Sequence, residues 1–364
     1  MRSFYAARVL SLFFIASPSW YNKGMQQSLL IWYDQTRRDL PWRRTGDPYA
    51  IWVSEIMLQQ TRAETVIGYW TRFLARFPTV WTLASSDEQA ALKAWEGLGY
   101  YSRARNLRRC AQVICAEYGG KFPQTAEALI ALPGIGAYTA GAVASIAFGQ
   151  RTPAVDGNVE RVISRLIGIR EDVGIPSVKR RLRAEAAALV PQDRPGDFNQ
   201  AMMELGARIC QPVPRCENCP IRAFCDAFEA GDADALPIKQ RKAPPKRLEV
   251  GVALVFLGKR VLVYRREESL LNGVWCFPVF EGAVLPTKVG EKLHNLGIEA
   301  AYVERIGEAR HVFTHRIWEM TLLRFDAITD TCPEGFRFAD AAELSALPLP
   351  TAVKSARQAA MDRL

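Results

Sequence analysis

Histidine is scarce. Only His294, His311 and His315 occur in 364 residues, and none lies near the one stretch where cysteines gather, which excludes a mixed Cys/His zinc finger there. Acidic residues are missing from the first 24 positions and again from 236–247, so both stretches carry uncompensated lysine and arginine. Near the start, the apolar run Val9 to Ala16 is too short to span a bilayer. Internal repeats are absent as well, which excludes a solenoid.

Cysteine is present in small number but concentrated. Cys210, Cys216, Cys219 and Cys225 are spaced C-x5-C-x2-C-x5-C, four thiols within sixteen residues. The inner pair can grip one corner of a metal centre, and the flanking two lie close enough to complete a four-sulfur shell. Such soft ligands select zinc or an iron-sulfur cluster. Two disulfides are the competing arrangement, but so short a loop does not house them comfortably, and the chain does not read as secreted. Cys110, Cys115, Cys276 and Cys332 are scattered and read as small core hydrophobes.

Composition is globular, with 49% hydrophobic and 23% charged residues, and the length suggests two domains or three. A net charge of +9 favours a polyanionic partner, because lysine and arginine gain free energy by releasing phosphate counterions. Residues 1–24 stand apart as an N-terminal extension, a disordered tail or an over-extended start ahead of Met25. Free thiols and a metal cluster need a reducing compartment, so the expected location is cytoplasmic.

From 25 to 229 the chain reads as consecutive short helices. Asp47-Pro48 sets a capping carboxylate before a first-turn proline. Thr61 to Glu64 and Ser85 to Glu88 read as capping boxes, and Val66, Ile67, Trp70, Phe73, Leu74 and Phe77 recur at helical spacing. Residues 230–247 form a basic linker marked by Pro237, Pro244 and Pro245. Over 248–364, Val250 to Leu257, a Gly258-Lys259 turn and Val261 to Tyr264 predict a hairpin, with further strands near Trp275 to Phe280 and Val312 to Phe325. The fold class is therefore multidomain: an all-α domain followed by an α+β domain.

Leu132-Pro133-Gly134-Ile135-Gly136 joins two predicted helices, and a tight glycine turn at a helix start exposes amides that suit a phosphate. Some twenty residues on, Asp156 precedes Gly157-Asn158 and a new helix, where it serves as an N-cap or as a functional carboxylate. Hairpin, aspartate and four cysteines in this order resemble the helix-hairpin-helix glycosylases of base-excision repair. That resemblance implies that Gly134 and Gly136 grip DNA backbone, that Asp156 works at the sugar, and that the cysteines hold a [4Fe-4S] cluster.

The run Arg38-Asp39-Leu40-Pro41-Trp42-Arg43, followed by Asp47-Pro48-Tyr49-Ala50-Ile51-Trp52-Val53-Ser54-Glu55-Ile56-Met57-Leu58-Gln59-Gln60-Thr61, is similar to the MutY adenine DNA glycosylases in particular. Glu55 is a lone carboxylate in an apolar run, a setting that raises its pKa and suits a general acid. The resemblance implies excision of adenine opposite 8-oxoguanine or guanine in duplex DNA by a monomer, with no membrane involved. Glu55 then protonates the base, and Asp156 steadies the cationic sugar or bonds to it. Tyr138 and Asn158 support the sugar, while Gln60 and Tyr100 wedge into the base stack. Tyr138 stands where bifunctional relatives of the endonuclease III type carry a lysine nucleophile, so lyase activity is not expected. Arg103, Arg105, Arg108 and Arg109 form a basic strip that could track phosphate.

The last third resembles the Nudix-like domain with which MutY proteins read 8-oxoguanine. Its Glu291 to Ile298 stretch lacks the glutamate pairs a Nudix hydrolase needs for magnesium. Phe313, Thr314 and His315 match the family's Phe-Ser-His loop, with threonine keeping the hydroxyl. Two departures stand out: the family usually has six residues between the first two cysteines, and Glu160 occupies a place where some members have lysine. A bifunctional pyrimidine glycosylase and a non-catalytic metal-cluster DNA binder remain the competing readings.

Overall fold

The computed structural model describes residues 19–240 and 243–364, so the expected N-terminal extension lies outside the described residues as far as position 18. Helices α1 (Ser19–Thr36), α2 (Pro48–Leu58), α3 (Ala63–Arg76), α4 (Val80–Ala84), α5 (Glu88–Ala94) and α6 (Ser102–Tyr118) come first. After them run α7 (Ala126–Ile130), α8 (Ala137–Phe148), α9 (Gly157–Leu166), α10 (Pro176–Leu189), α11 (Pro195–Arg208) and α12 (Asp226–Ala230). No described helix is long and apolar enough to cross a membrane. The chain folds as two compact units that interleave in sequence: 1–63 with 117–241, and 64–116 with 242–364.

The first unit is helical. Its α2 starts as the sequence predicts, with the Asp47 carboxylate accepting from the Tyr49 amide and Pro48 in the first turn. Every residue from Tyr49 to Met57 is buried, so α2 is enclosed on all sides and shows no polar face. It packs on α8, which is equally apolar from Thr139 to Ser145. A second core joins Met25, Leu29 and Tyr33 of α1 to Val159, Val162 and Ile163 of α9 and to Phe198, Met202 and Leu205 of α11. Cys210, Cys219 and Cys225 pack against this core, so the cysteine loop is seated on α9 and α11.

The second unit contains a seven-stranded mixed sheet: β1 (Lys246–Leu257), β2 (Arg260–Arg265), β3 (Trp275–Cys276), β4 (Val279–Glu281), β5 (Ala300–Val312), β6 (Arg316–Ala327) and β7 (Phe336–Ala339). The order is β3-β2-β1-β6-β5, with β4 on β1 and β7 on β2, and only β1 and β6 run parallel. Alternation along β1 sends Val250, Val252, Leu254 and Phe256 to one core and Ala253 and Val255 to the other. Helices α13 (Pro286–Asn295), α14 (Ala341–Ala346) and α15 (Lys354–Met361) complete the unit.

The helical segment 64–116 is locked into this unit by polar contacts. Lys93 donates to the carbonyls of Ser345 and Leu347, and Glu96 accepts from Arg357 at 2.6 Å. Two caps differ from expectation. Asp87, not Ser85, caps α5 by accepting from the Gln89 and Ala90 amides, because the Ser85 hydroxyl already donates back to the Trp81 carbonyl. The Thr61 hydroxyl likewise turns back to Gln59, and α3 begins at Ala63.

Candidate active site

Glu55 projects from the buried helix α2 and is only 5% exposed. Tyr138, in the first turn of α8, donates its hydroxyl to Glu55 Oε2 at 2.5 Å. Burial pushes the Glu55 carboxyl up to about 7; the Tyr138 hydrogen bond and Arg43 pull it down, and the nearby charge of Asp156 pushes it further up. Burial holds the Tyr138 phenol well above its ordinary value, so it stays a neutral donor. Thus two residues eighty-three positions apart form one acid pair, with Asp156 within electrostatic reach of both.

Asp156 is both an N-cap and an active-site neighbour. One oxygen accepts from the amides of Asn158 at 2.9 Å and Val159 at 2.7 Å, and the other from Asn158 Nδ2 at 3.1 Å. Burial raises its pKa more than these hydrogen bonds lower it. Arg161 continues the chain of contacts: it donates to Asn158 Oδ1 and to the Gly206 carbonyl at 2.8 Å, and to the Cys210 carbonyl at 2.7 Å. One guanidinium therefore ties the aspartate turn to the cysteine loop. Arg161→Met, which leaves three half-buried acceptors without a donor, is expected to cost about 3 kcal/mol in urea unfolding.

Sequence reasoning assigned no role to Glu204, although it carries the signal that marked Glu55: one carboxylate inside an apolar helical run, Ala201 to Leu205. Its side chain is fully buried and binds Arg38 at 2.8 Å and Arg43 at 2.9 Å. Burial pushes its carboxyl up, but the two arginines outweigh that and hold it below the ordinary value. Arg43 in turn acts on Glu55, and the neighbouring Met203 sulfur lies 3.5 Å from the Tyr138 hydroxyl. The site thus combines a carboxyl raised by burial and bound by Tyr138 with a second carboxylate held charged by two arginines.

The hairpin has the form that the glycines demand. Gly134 has a φ of +76°, and Gly136 caps α8 with no side-chain hydrogen bond, leaving first-turn amides without an intrahelical acceptor. Apart from its own helix and chain neighbours, no described atom lies within 4 Å of where a Gly136 Cβ would sit, so this face is open to a ligand. Gln60 and Tyr100 are two of four described non-glycine residues with positive φ, at +59° and +48°, and both are exposed. Phe313 packs on Trp318 at 4.9 Å and His311 at 4.5 Å, while Thr314 and His315 are exposed at the β5–β6 turn. The Thr314 hydroxyl is 2.5 Å from that of Tyr100.

The arginine strip after Tyr100 is a correction. Arg103 is buried, Arg105 is hydrogen-bonded to the Asn272 carbonyl and Arg108 to the Ser86 carbonyl, so three of the four are occupied within their own unit. Arg109 is exposed. Glu160 is ion-paired with Lys239 at 3.1 Å, so the linker returns a cation to the position.

The four cysteines lie within electrostatic reach of one another. Cys219 is pushed up to about 12, first by burial and then by Cys210, Cys225 and Cys216, and Cys210 and Cys216 likewise push Cys225 up after burial. The buried Arg165 donates to Cys210 Sγ at 3.4 Å and to the Gln211 and Pro212 carbonyls. Among the described residues no group of three or more Cys, His, Asp or Glu side chains converges tightly enough to hold a metal ion.

Residues 53–191 match the HhH-GPD superfamily base excision DNA repair protein family, and residues 251–359 the NUDIX domain family. The human adenine DNA glycosylase is 35% identical in an alignment covering 90% of this chain and 72% of that protein. A thermostable thymine-DNA glycosylase structure is 32% identical, with a TM-score of 0.53 over 59% of this chain and all of its own. A trapped endonuclease III–DNA intermediate, 21% identical with a TM-score of 0.50 over 60% of this chain and 99% of its own, shares the fold.

Proposed function

The chain belongs to the adenine DNA glycosylases, and on that premise we propose that it is a monofunctional enzyme hydrolysing the N-glycosidic bond of adenine paired with 8-oxoguanine or guanine in duplex DNA. The observation that carries the chemistry is the buried Glu55 bound by Tyr138. Because Tyr138 occupies Oε2, the proton of the neutral carboxyl sits on Oε1, the oxygen left for a leaving purine. As the bond to the sugar breaks, positive charge grows on the deoxyribose ring, and Asp156 supplies the opposing charge. Water completes the hydrolysis. Tyr138 has no amine, so no Schiff base forms and the strand is left uncut.

Phe313, Thr314 and His315 support the preference for 8-oxoguanine, with the Thr314 hydroxyl able to meet a base edge. The α13 helix that would hold magnesium in a Nudix hydrolase carries a single glutamate, Glu291, so pyrophosphate hydrolysis is not part of the function. Cys210, Cys216, Cys219 and Cys225 would hold a [4Fe-4S] cluster. When bound, such a cluster would cross-link the loop to itself where Cys210, Cys219 and Cys225 pack on the core of α9 and α11, and its binding energy would add to folding.

Single-turnover assays on duplexes bearing A opposite 8-oxoguanine, A opposite G, and T opposite G test the proposal. Adenine release with an intact backbone, fastest opposite 8-oxoguanine, is expected. Release of thymine alone, or a borohydride-stable DNA adduct in high yield, would overturn it. Elemental analysis with about four irons per chain, rather than one zinc, tests the cluster.

A further inference from the structure

Tyr100 is held by a neighbour whose place in a basic strip suggests a phosphate contact instead. Arg103, three residues on, is buried, and its guanidinium lies 5.3 Å from the Trp95 ring and 5.6 Å from the Tyr100 ring. Its Nη2 donates to the Leu98 carbonyl at 3.0 Å and the Gly99 carbonyl at 3.2 Å, and Trp95 Nε1 donates to the same Gly99 carbonyl at 3.1 Å. The turn so gripped contains three left-handed residues, Gly97 at +100°, Gly99 at +70° and Tyr100 at +48°. Glycine adopts that conformation freely; tyrosine does so at a cost. The result is a fixed Trp95–Arg103–Tyr100 stack with a tyrosine ring half exposed at its outer end.

We propose that Arg103 is a positioning residue that presents Tyr100 to the base stack, through which the enzyme discriminates 8-oxoguanine from guanine opposite adenine. The proposal rests on the reading of Tyr100 as a wedge. Arginine suits this place: one nitrogen of the planar guanidinium, Nη2, reaches two carbonyls of the turn while the group lies over two aromatic rings. Lysine keeps the charge but lacks the plane that lies over the two rings. Methionine keeps the length of the stem and loses both. A wedge acts by stacking on a neighbouring base, so a ring free to leave its strained position loses most of its hold on DNA without any change at Glu55 or Asp156.

A double-mutant cycle tests this. Arg103→Met, Arg103→Lys, Tyr100→Ala and the Arg103→Met/Tyr100→Ala pair are compared for single-turnover excision opposite 8-oxoguanine and opposite G, with 2-aminopurine beside the 8-oxoguanine reporting stacking. Arg103→Met is expected to lower the preference for 8-oxoguanine roughly tenfold and to restore 2-aminopurine fluorescence, as the loss of one stacked base would. Arg103→Lys should fall between it and wild type, and covers the case in which the methionine variant does not fold. In the Tyr100→Ala background Arg103→Met should add nothing. A further loss there, or an unchanged preference in Arg103→Met or Arg103→Lys, overturns the positioning role alone. If Tyr100→Ala itself leaves discrimination and fluorescence intact, the wedge reading fails, and this proposal with it.

Discussion

Glu55→Gln protein is expected to bind an A:8-oxoguanine duplex normally and to release adenine about 10³-fold or more slowly, the upper part of the range for loss of a general acid. Glutamine is isosteric and still accepts from Tyr138, so the pocket should keep its shape while losing the transferable proton. The wild-type rate carries a second signature. With the Glu55 carboxyl near 7, the protonated, active form is populated below that pH, and excision should fall as pH rises through it. Stability should change in the same direction. The folded-state pKa is raised, so stability is fully present below about pH 4.5 and is lost as pH rises towards 7, a change of roughly 3 kcal/mol for the full shift. Glu55→Gln removes that penalty. Its melting temperature relative to wild type should therefore be higher at pH 8 than at pH 5. A pH-independent excision rate in wild type, or a normal rate in the variant, removes Glu55 from the chemistry.

How much of the site is legible in the sequence depends on whether a residue's neighbours lie in the same stretch of chain. Glu55 stands out because an unpaired carboxylate in an apolar run is costly unless something answers it, and the answer, Tyr138, is already suspect for its place in the hairpin. Glu204 gives the same signal without a partner in view, since Arg38 and Arg43 lie more than 160 positions away. Charge alone misleads in the opposite direction. A strip of arginines on α6 suggests an open basic face, yet Arg103, Arg105 and Arg108 spend their donors on carbonyls of their own unit. Strands are legible where they are buried on both faces, as β1 is, and illegible where they are not: β5 is an edge strand whose Tyr302 to Arg305 are all exposed, so it carries no apolar alternation to read. The caps show competition at short range, with Asp87 prevailing over Ser85 because a serine at the C-terminal cap of α4 bonds backwards first.

Asp156→Asn is expected to slow excision by about 10²- to 10³-fold, the scale of one preorganised charge or donor acting on a transition state. The substitution is informative because Asp156 has two functions that asparagine separates. As an N-cap it satisfies the Asn158 and Val159 amides, and asparagine caps a helix about as well, so α9 should start where it does now. Alanine would lose that cap and cost about 1 kcal/mol, mixing stability with catalysis. What asparagine cannot supply is the negative charge. It also sets an amide NH2 where Asp156 Oδ2 now accepts from Asn158 Nδ2. Asn158 cannot turn to compensate without giving up Arg161, which links the turn to the Cys210 carbonyl. The expected loss in stability is therefore about 1 kcal/mol, the worth of one hydrogen bond, against a loss of rate several times larger in free energy. Unfolding and single-turnover excision measured on the same preparation separate the two. A variant destabilised by little yet nearly inactive places the charge of Asp156 in the reaction, whereas one that unfolds early and excises adenine normally when folded leaves it a helix cap.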